Sequence, residues 1–289
     1  MRKKKKVNAN ETYMQTVMRR FRAHHLAKIS LVILVVVGLA ALFAPVVAPY
    51  DPDAIVGTFS GAPCKEFILG TDQIGRDVFS RLLYATRISL LVGILATVIS
   101  TVIGVVLGLI AGYFGGVADM ILMRFTDMVM SFPYILLVLV AAAIFKPGLW
   151  SIILILGFVD WPGVARLVRG NVLSETNFVK GNVVAGMPLR HILFSEILPN
   201  TVAPILVYAT SVMAISMLDE AALSFLGMGV QPPMASLGNM LNGAQSITVL
   251  TSQPWLWLPP GIMIVVLVVS INFVGDALRD AFDPSGGRR

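Results

Sequence analysis

Residues 179–200, VKGNVVAGMPLRHILFSEILPN, gather Lys180, Asn182, Arg190, His191 and Glu196 into one stretch with two prolines and a Gly-Met-Pro break. No nucleophile stands beside a base there, so its chemistry is that of a contact surface rather than of bond breaking. Phe178, Val179, Val183 and Val184 supply one apolar face, and Leu189, Ile192, Leu193, Ile197 and Leu198 supply a second. Gly186 and Met187 separate the two faces, Pro188 suits a first helical turn, and Pro199 is expected to stop the second helix. The pattern predicts a helical hairpin with a compact tip. Two readings are open: a knob shaped for the groove of a soluble protein, or a connecting loop packed on its own bundle.

The carboxylates come next. Asp219 and Glu220 are adjacent near one end of an apolar run, where a carboxylate is costly unless it faces water or a cation. They are candidates for a translocation pathway, or for capping the short AALSFLG helix that follows. Asp160, near the end of another run, either faces water or Arg166 or is a buried functional group. His24, His25 and His191 are spaced poorly for a metal site, so no metal ligand is expected. Cys64 has no second cysteine to pair with. The chain lacks the G-x-x-x-x-G-K-[ST] phosphate cradle and any nucleophile–base grouping, so no catalytic residue is assigned and no cofactor is expected on it.

These groups must be positioned by membrane helices. Of 289 residues, 56% are hydrophobic and 13% charged, with a mean hydropathy of +0.82, far too apolar for a soluble domain. A spanning helix needs about 20 apolar residues because hydrocarbon offers no partner for backbone amides. Six such stretches fall near 29–48, 88–112, 126–145, 149–165, 201–222 and 257–276. The expected fold is therefore an all-α polytopic membrane protein with six transmembrane helices. MRKKKK lies far from the first run, which has no small-residue cleavage site, so that run is expected to remain as an anchor.

Orientation follows from Lys and Arg. Seventeen of the 22 fall in the tail to Lys28, after the second span, in 166–200 and at the C-terminus; Lys65, Arg76, Arg81, Arg87 and Lys146 are left for the other side. Cytoplasmic flanks collect such residues, so both termini are expected to be cytoplasmic. The net charge of +6 sits in membrane-flanking tails without aromatic interleaving, which points to lipid headgroups and not to nucleic acid. Residues 1–28 form a basic amphipathic tail, 29–87 the first span and an outer segment, 88–284 a five-helix core with the hairpin 166–200, and 285–289 a C-terminal tail. An interfacial helix is expected to feed the second span. Gly104, Gly108 and Gly112 at four-residue spacing permit close helix contact. The uncharged stretch 225–255 reads as a re-entrant or packed cap and not as a seventh span.

The segment resembles the "EAA" loop of binding-protein-dependent ABC importer permeases. In that pattern E-A-A, a Gly and a closing L-P fall on Lys180-Gly181-Asn182, Gly186 and Leu198-Pro199, with KGN in place of the triplet. LGTDQIGRDVFSRLLYATRISL (69–90), GLIAGYFGGVADMILMRFTD (108–127), EAALSFLGMGVQPP (220–233) and GDALRDAFDP (275–284) are similar to the C-type permeases of the dipeptide, oligopeptide and nickel group. The resemblance implies a type I ABC importer permease fold in a bacterial or archaeal cytoplasmic membrane. It also implies a homologous second permease, two ATPase subunits carrying ATP and Mg, and an outer substrate-binding protein. Val179, Lys180, Gly181, Asn182, Gly186, Met187 and Pro188 would contact an ATPase. Short peptides are the expected cargo, with nickel or another metal chelate as the alternative. A secondary transporter would have more spans and an inverted repeat; a non-transporting membrane scaffold would explain spans and hairpin without a cargo path.

Overall fold

The computed structural model describes residues 13–174 and 186–282. Its named elements are all helical: α1 (Tyr13–Ala23), α2 (His25–Leu42), α3 (Ala44–Val47), α4 (Val78–Phe114), α5 (Gly116–Ser131), α6 (Tyr134–Ile144), α7 (Leu149–Val159) and α8 (Trp161–Ser174). After the segment 175–185 come a helical turn, a π turn (Ile192–Ile197), α9 (Leu198–Phe225), α10 (Leu237–Leu241), α11 (Ile247–Ser252) and α12 (Pro254–Phe282). Among the described residues five helical stretches are long and apolar enough to cross a membrane, and six if the bent pair α5–α6 is one span. Their outward faces carry large apolar side chains such as Val35, Val102, Val106 and Val265, the surface that lipid tails solvate without penalty.

Several boundaries differ from the sequence expectation, each for a local reason. No separate interfacial helix feeds the second span: α4 runs unbroken for 37 residues, about 55 Å at 1.5 Å per residue. Its start is fixed by Asp77, whose Oδ2 accepts from the Ser80 amide at 2.8 Å and the Ser80 hydroxyl at 2.7 Å, the N-cap arrangement that satisfies otherwise orphaned donors. The third span is not straight. α5 and α6 meet at 86°, because Pro133 has no amide proton and forces Phe132 into extended backbone at φ −78°, ψ 141°.

Pro199 does not stop a helix as expected. Winding continues from Leu189 through the π turn into α9, with the Leu198 amide reaching back to the Leu193 carbonyl. Pro199 sits in the first turn of α9, directly after the π turn that carries the winding up to it. The stretch 225–255 packs as a cap of short helices, with Val230, Ala235, Leu237 and Val249 buried.

α4 is the axis of the bundle. Along it Gly108 and Gly112 leave room for Val168 and Val172 of α8, so these two backbones approach more closely than side chains would allow. α9 and α12 pack on α4 further toward its N-terminus, where Leu82, Ala85, Met217 and Leu267 form one core. The N-terminus of α4 holds the 49–77 segment through buried Arg81, whose guanidinium meets the Pro52 carbonyl at 3.0 Å, Asp53 at 3.3 Å and Asp72 at 3.5 Å. α1 lies against α12 with Val17 buried.

Candidate functional site

The polar groups of the bundle come together where three helices break or cross. The bend at Phe132–Pro133 starts α6 with Tyr134, and the break between α7 and α8 leaves Asp160 at its corner. α9 brings Tyr208, Ser216 and Asp219 past both. The Tyr134 hydroxyl donates to Asp219 Oδ2 at 2.7 Å, and the Ser216 hydroxyl donates to Asp160 Oδ2 at 3.2 Å. Tyr134, Asp160 and Tyr208 line a cavity of about 200 Å³ with Val129, Phe132 and Pro162. Gly163 leaves room for the Tyr208 hydroxyl, which a Cβ there would strike. Two half-buried carboxylates, each held by a hydroxyl donor and keeping free lone pairs, can receive a cation or a hydrogen-bond donor passing between the helices.

Asp219 and Glu220 are neighbours in sequence but separate in space. Successive residues of a helix point about 100° apart, so Asp219 meets α6 while Glu220 turns inward. Glu220 has no exposed surface. Its two oxygens accept from the hydroxyls of Ser89 on α4 and Ser224 on α9, both at 2.7 Å. Those hydroxyls in turn accept from the Leu237 amide at 3.2 Å and the Val230 amide at 3.1 Å. A capping box between Ser236 and Asn239 starts α10 immediately beside this knot. Glu220 thus ties α4, α9 and the 228–239 cap together.

Arg166 is not the partner of Asp160. It pairs with Asp127 at 2.6 Å, and Arg169 grips Asp119 through Nε and Nη2 at 2.5 and 2.6 Å. Of the hairpin residues, Val179, Lys180, Gly181 and Asn182 lie outside the described residues. Gly186 has φ +75° and open space where a Cβ would stand; Met187 and Pro188 are exposed beside it. Tyr134, Tyr208 and Ser216 went unread in the sequence. Only the Phe-Pro pair preceding Tyr134 marks it, since a tyrosine or serine in an apolar run is ordinary in a membrane helix.

Residues 104–286 match the family model described as binding-protein-dependent transport system inner membrane component, and residues 12–63 match that of the N-terminal TM domain of oligopeptide transport permease C. The dipeptide transport system permease protein DppC of Haemophilus influenzae is 37% identical over 96% of both chains. The di/tripeptide transport system permease protein DppC of Pseudomonas aeruginosa is 39% identical over 88% of this chain and 86% of its own. The oligopeptide transport system permease protein OppC of Haemophilus influenzae is 39% identical over 93% and 88%. In solved structures, a chain of the MetNI methionine ABC transporter in inward-facing conformations superposes with a TM-score of 0.58 at 19% identity, covering 70% of this chain and 96% of that one. A chain of an amino acid ABC transporter gives 0.53 at 14% identity, over 68% and 92%. The fold is that of type I ABC importer permeases, and the chain belongs to the family of inner membrane components of binding-protein-dependent transport systems.

Proposed function

We propose that this chain is the permease subunit of an ATP-driven importer in a bacterial inner membrane, forming half of a pathway for short peptides. The observation that carries this reading is the match to a dipeptide permease along 96% of both chains, since likeness over a shared fold alone would leave cargo open. The partners are a homologous second permease, two ATPase subunits that bind ATP and Mg, and an outer binding protein that delivers the peptide. In this reading both termini are cytoplasmic, which the Lys and Arg distribution supports.

The cycle is alternating access. ATP closes the ATPase pair, the segment 178–190 moves with it, and the bundle exchanges one open side for the other; the nucleotide supplies the difference in affinity between the two states. Val179, Lys180, Gly181, Asn182, Gly186, Met187 and Pro188 form the ATPase contact. Support comes from the left-handed, unobstructed Gly186 and from Met187 and Pro188, which are exposed beside it. Asp219 with Tyr134 and Asp160 faces the pathway, because half-buried carboxylates inside membrane helices are costly unless water or cargo reaches them. Glu220, closed off by two serines, fixes the helix that presents Asp219.

The test is uptake of labelled dipeptides, with nickel in a parallel arm, by cells with and without the chain, together with ATPase activity of the reconstituted complex. Dipeptide uptake that needs the chain, and ATPase stimulation abolished by Gly186→Val, are expected. Nickel uptake alone would overturn the cargo. Failure of any ATPase subunit to co-purify would overturn the transporter reading.

A further inference from the structure

We propose that Arg166 and Arg169 are positioning residues of the transport cycle: their ion pairs with Asp127 and Asp119 clamp the jointed helix α5 to α8, so that movement of the 178–190 segment reaches Tyr134. This rests on the reading above that an ATPase partner drives that segment.

The helix α5 is hinged at both ends. It leaves α4 through Gly115 and Gly116, both in left-handed conformation at φ +59° and +52°, with no neighbouring atom within 4 Å of where a Cβ would stand. At its other end it turns by 86° into α6. Of its 16 residues only Thr126 is buried. Packing therefore does little to hold it. α8 is the opposite case: Trp161, Pro162, Val164, Ala165, Val168 and Val172 are buried among its 14 residues, wedged along the glycines of α4 so that α4 and α8 behave as one body.

What joins the hinged helix to that body is a row of side-chain contacts. Asp119 meets Arg169, Phe125 stacks on Trp161 with ring centroids 5.8 Å apart and 13° between planes, and Asp127 meets Arg166. The two ion pairs thus hold α5 near its start, at Asp119, and near its end, at Asp127, with the Phe125–Trp161 stack between those two aspartates along α5. Arg166 and Arg169 are three residues apart and share a face of α8. The Asp119–Arg169 pair is bidentate, so it fixes orientation as well as distance.

The path has two ends with a function proposed for each. α8 ends at Ser174, and the chain continues from there toward Val179, the first residue proposed to meet the ATPase. α5 runs into the bend from which Tyr134 reaches Asp219 at 2.7 Å. A displacement of α8 carries α5 with it while the clamp holds; with the clamp released, the two glycine hinges let α5 stay behind. Ion pairs that are partly exposed contribute little to folding, so altering them is expected to change coupling and leave assembly intact.

The experiment uses the complete complex reconstituted with its second permease, ATPases and binding protein, and reads co-purification, ATPase rate and labelled dipeptide uptake. In Arg169→Glu, uptake per ATP hydrolysed is expected to fall about 5-fold or more in a complex that still assembles. The reversed pair, Asp119→Arg with Arg169→Asp, is expected to return it to within about twofold of the original. Should Arg169→Glu fail to assemble, Arg169→Gln is read by the same criterion. Uptake per ATP unchanged in the single variants, or a reversed pair no better than they are, overturns the clamp. An unaltered complex that neither transports dipeptide nor binds an ATPase overturns the underlying transporter reading instead, and the two failures are told apart by that reference arm.

Discussion

Gly108→Ala tests whether the contact between α4 and α8 is as close as the backbones imply. A Cβ at position 108 would stand 2.6 Å from the Ala165 carbonyl oxygen and 2.7 Å from Val168 Cβ. Carbon atoms rest at about 3.5–4 Å from their neighbours, so the helices would have to part by about 1 Å. The obstacle is a backbone carbonyl, which cannot rotate away, and Val168 is fully buried. Parting at 108 also loosens Gly112 against Val172, one turn on. Overpacking of this kind costs about 1–3 kcal/mol, against a gain of up to about 1 kcal/mol from replacing a helical glycine by alanine. Gly170→Ala is the matched control: the same substitution on α8, with nothing within 4 Å of the new methyl. In thermal melts of the purified chain in detergent, Gly108→Ala should melt several degrees below the original, at about 2–4 °C per kcal/mol, and Gly170→Ala at or above it. If Gly108→Ala melts as high as Gly170→Ala, the close approach is wrong and the helices have slack between them.

The buried knot at Glu220 makes a second expectation. Glu220→Ala strands two hydroxyls whose lone pairs already serve the Val230 and Leu237 amides, and buried unpaired groups cost about 1–3 kcal/mol each; the melt should drop further than for Gly108→Ala, and proteolysis should cut the 228–245 cap sooner. Asp77→Ala removes the cap of α4, worth about 0.5–2 kcal/mol, and should raise hydrogen exchange in the first turn of α4 while leaving α8 unchanged. Asp219→Asn is expected to lower dipeptide uptake with little change in melting temperature, because its single bond to Tyr134 lies at a half-buried site; an unchanged uptake would remove Asp219 from the pathway.

Hydropathy located the five long apolar helices and the apolar part of the bent pair α5–α6, because the need to satisfy backbone amides in hydrocarbon leaves its mark on about 20 consecutive residues and requires no knowledge of partners. The cap at 225–255 was legible for the same reason: too many glycines and prolines for a span, too few charges for open water. The break at Pro133 was less so. The proline is visible in the sequence, but the angle it produces depends on what receives α6. Pro199 misled, since a proline read alone marks a helix end, whereas here the π turn before it places it in a first turn.

The sequence by itself determined that this chain crosses a membrane several times, which side its charges favour, and which family its motifs resemble, because these depend on composition and local order along the chain. Only the tertiary structure decided which carboxylate meets which partner. Asp219 and Glu220 differ by one position, yet the helical rotation of about 100° per residue sends one to Tyr134 and the other into a closed knot of serines. Arg166 lies close to Asp160 in sequence but pairs with Asp127 of another helix, because pairing is set by distance across the bundle and the chain order carries no record of that distance.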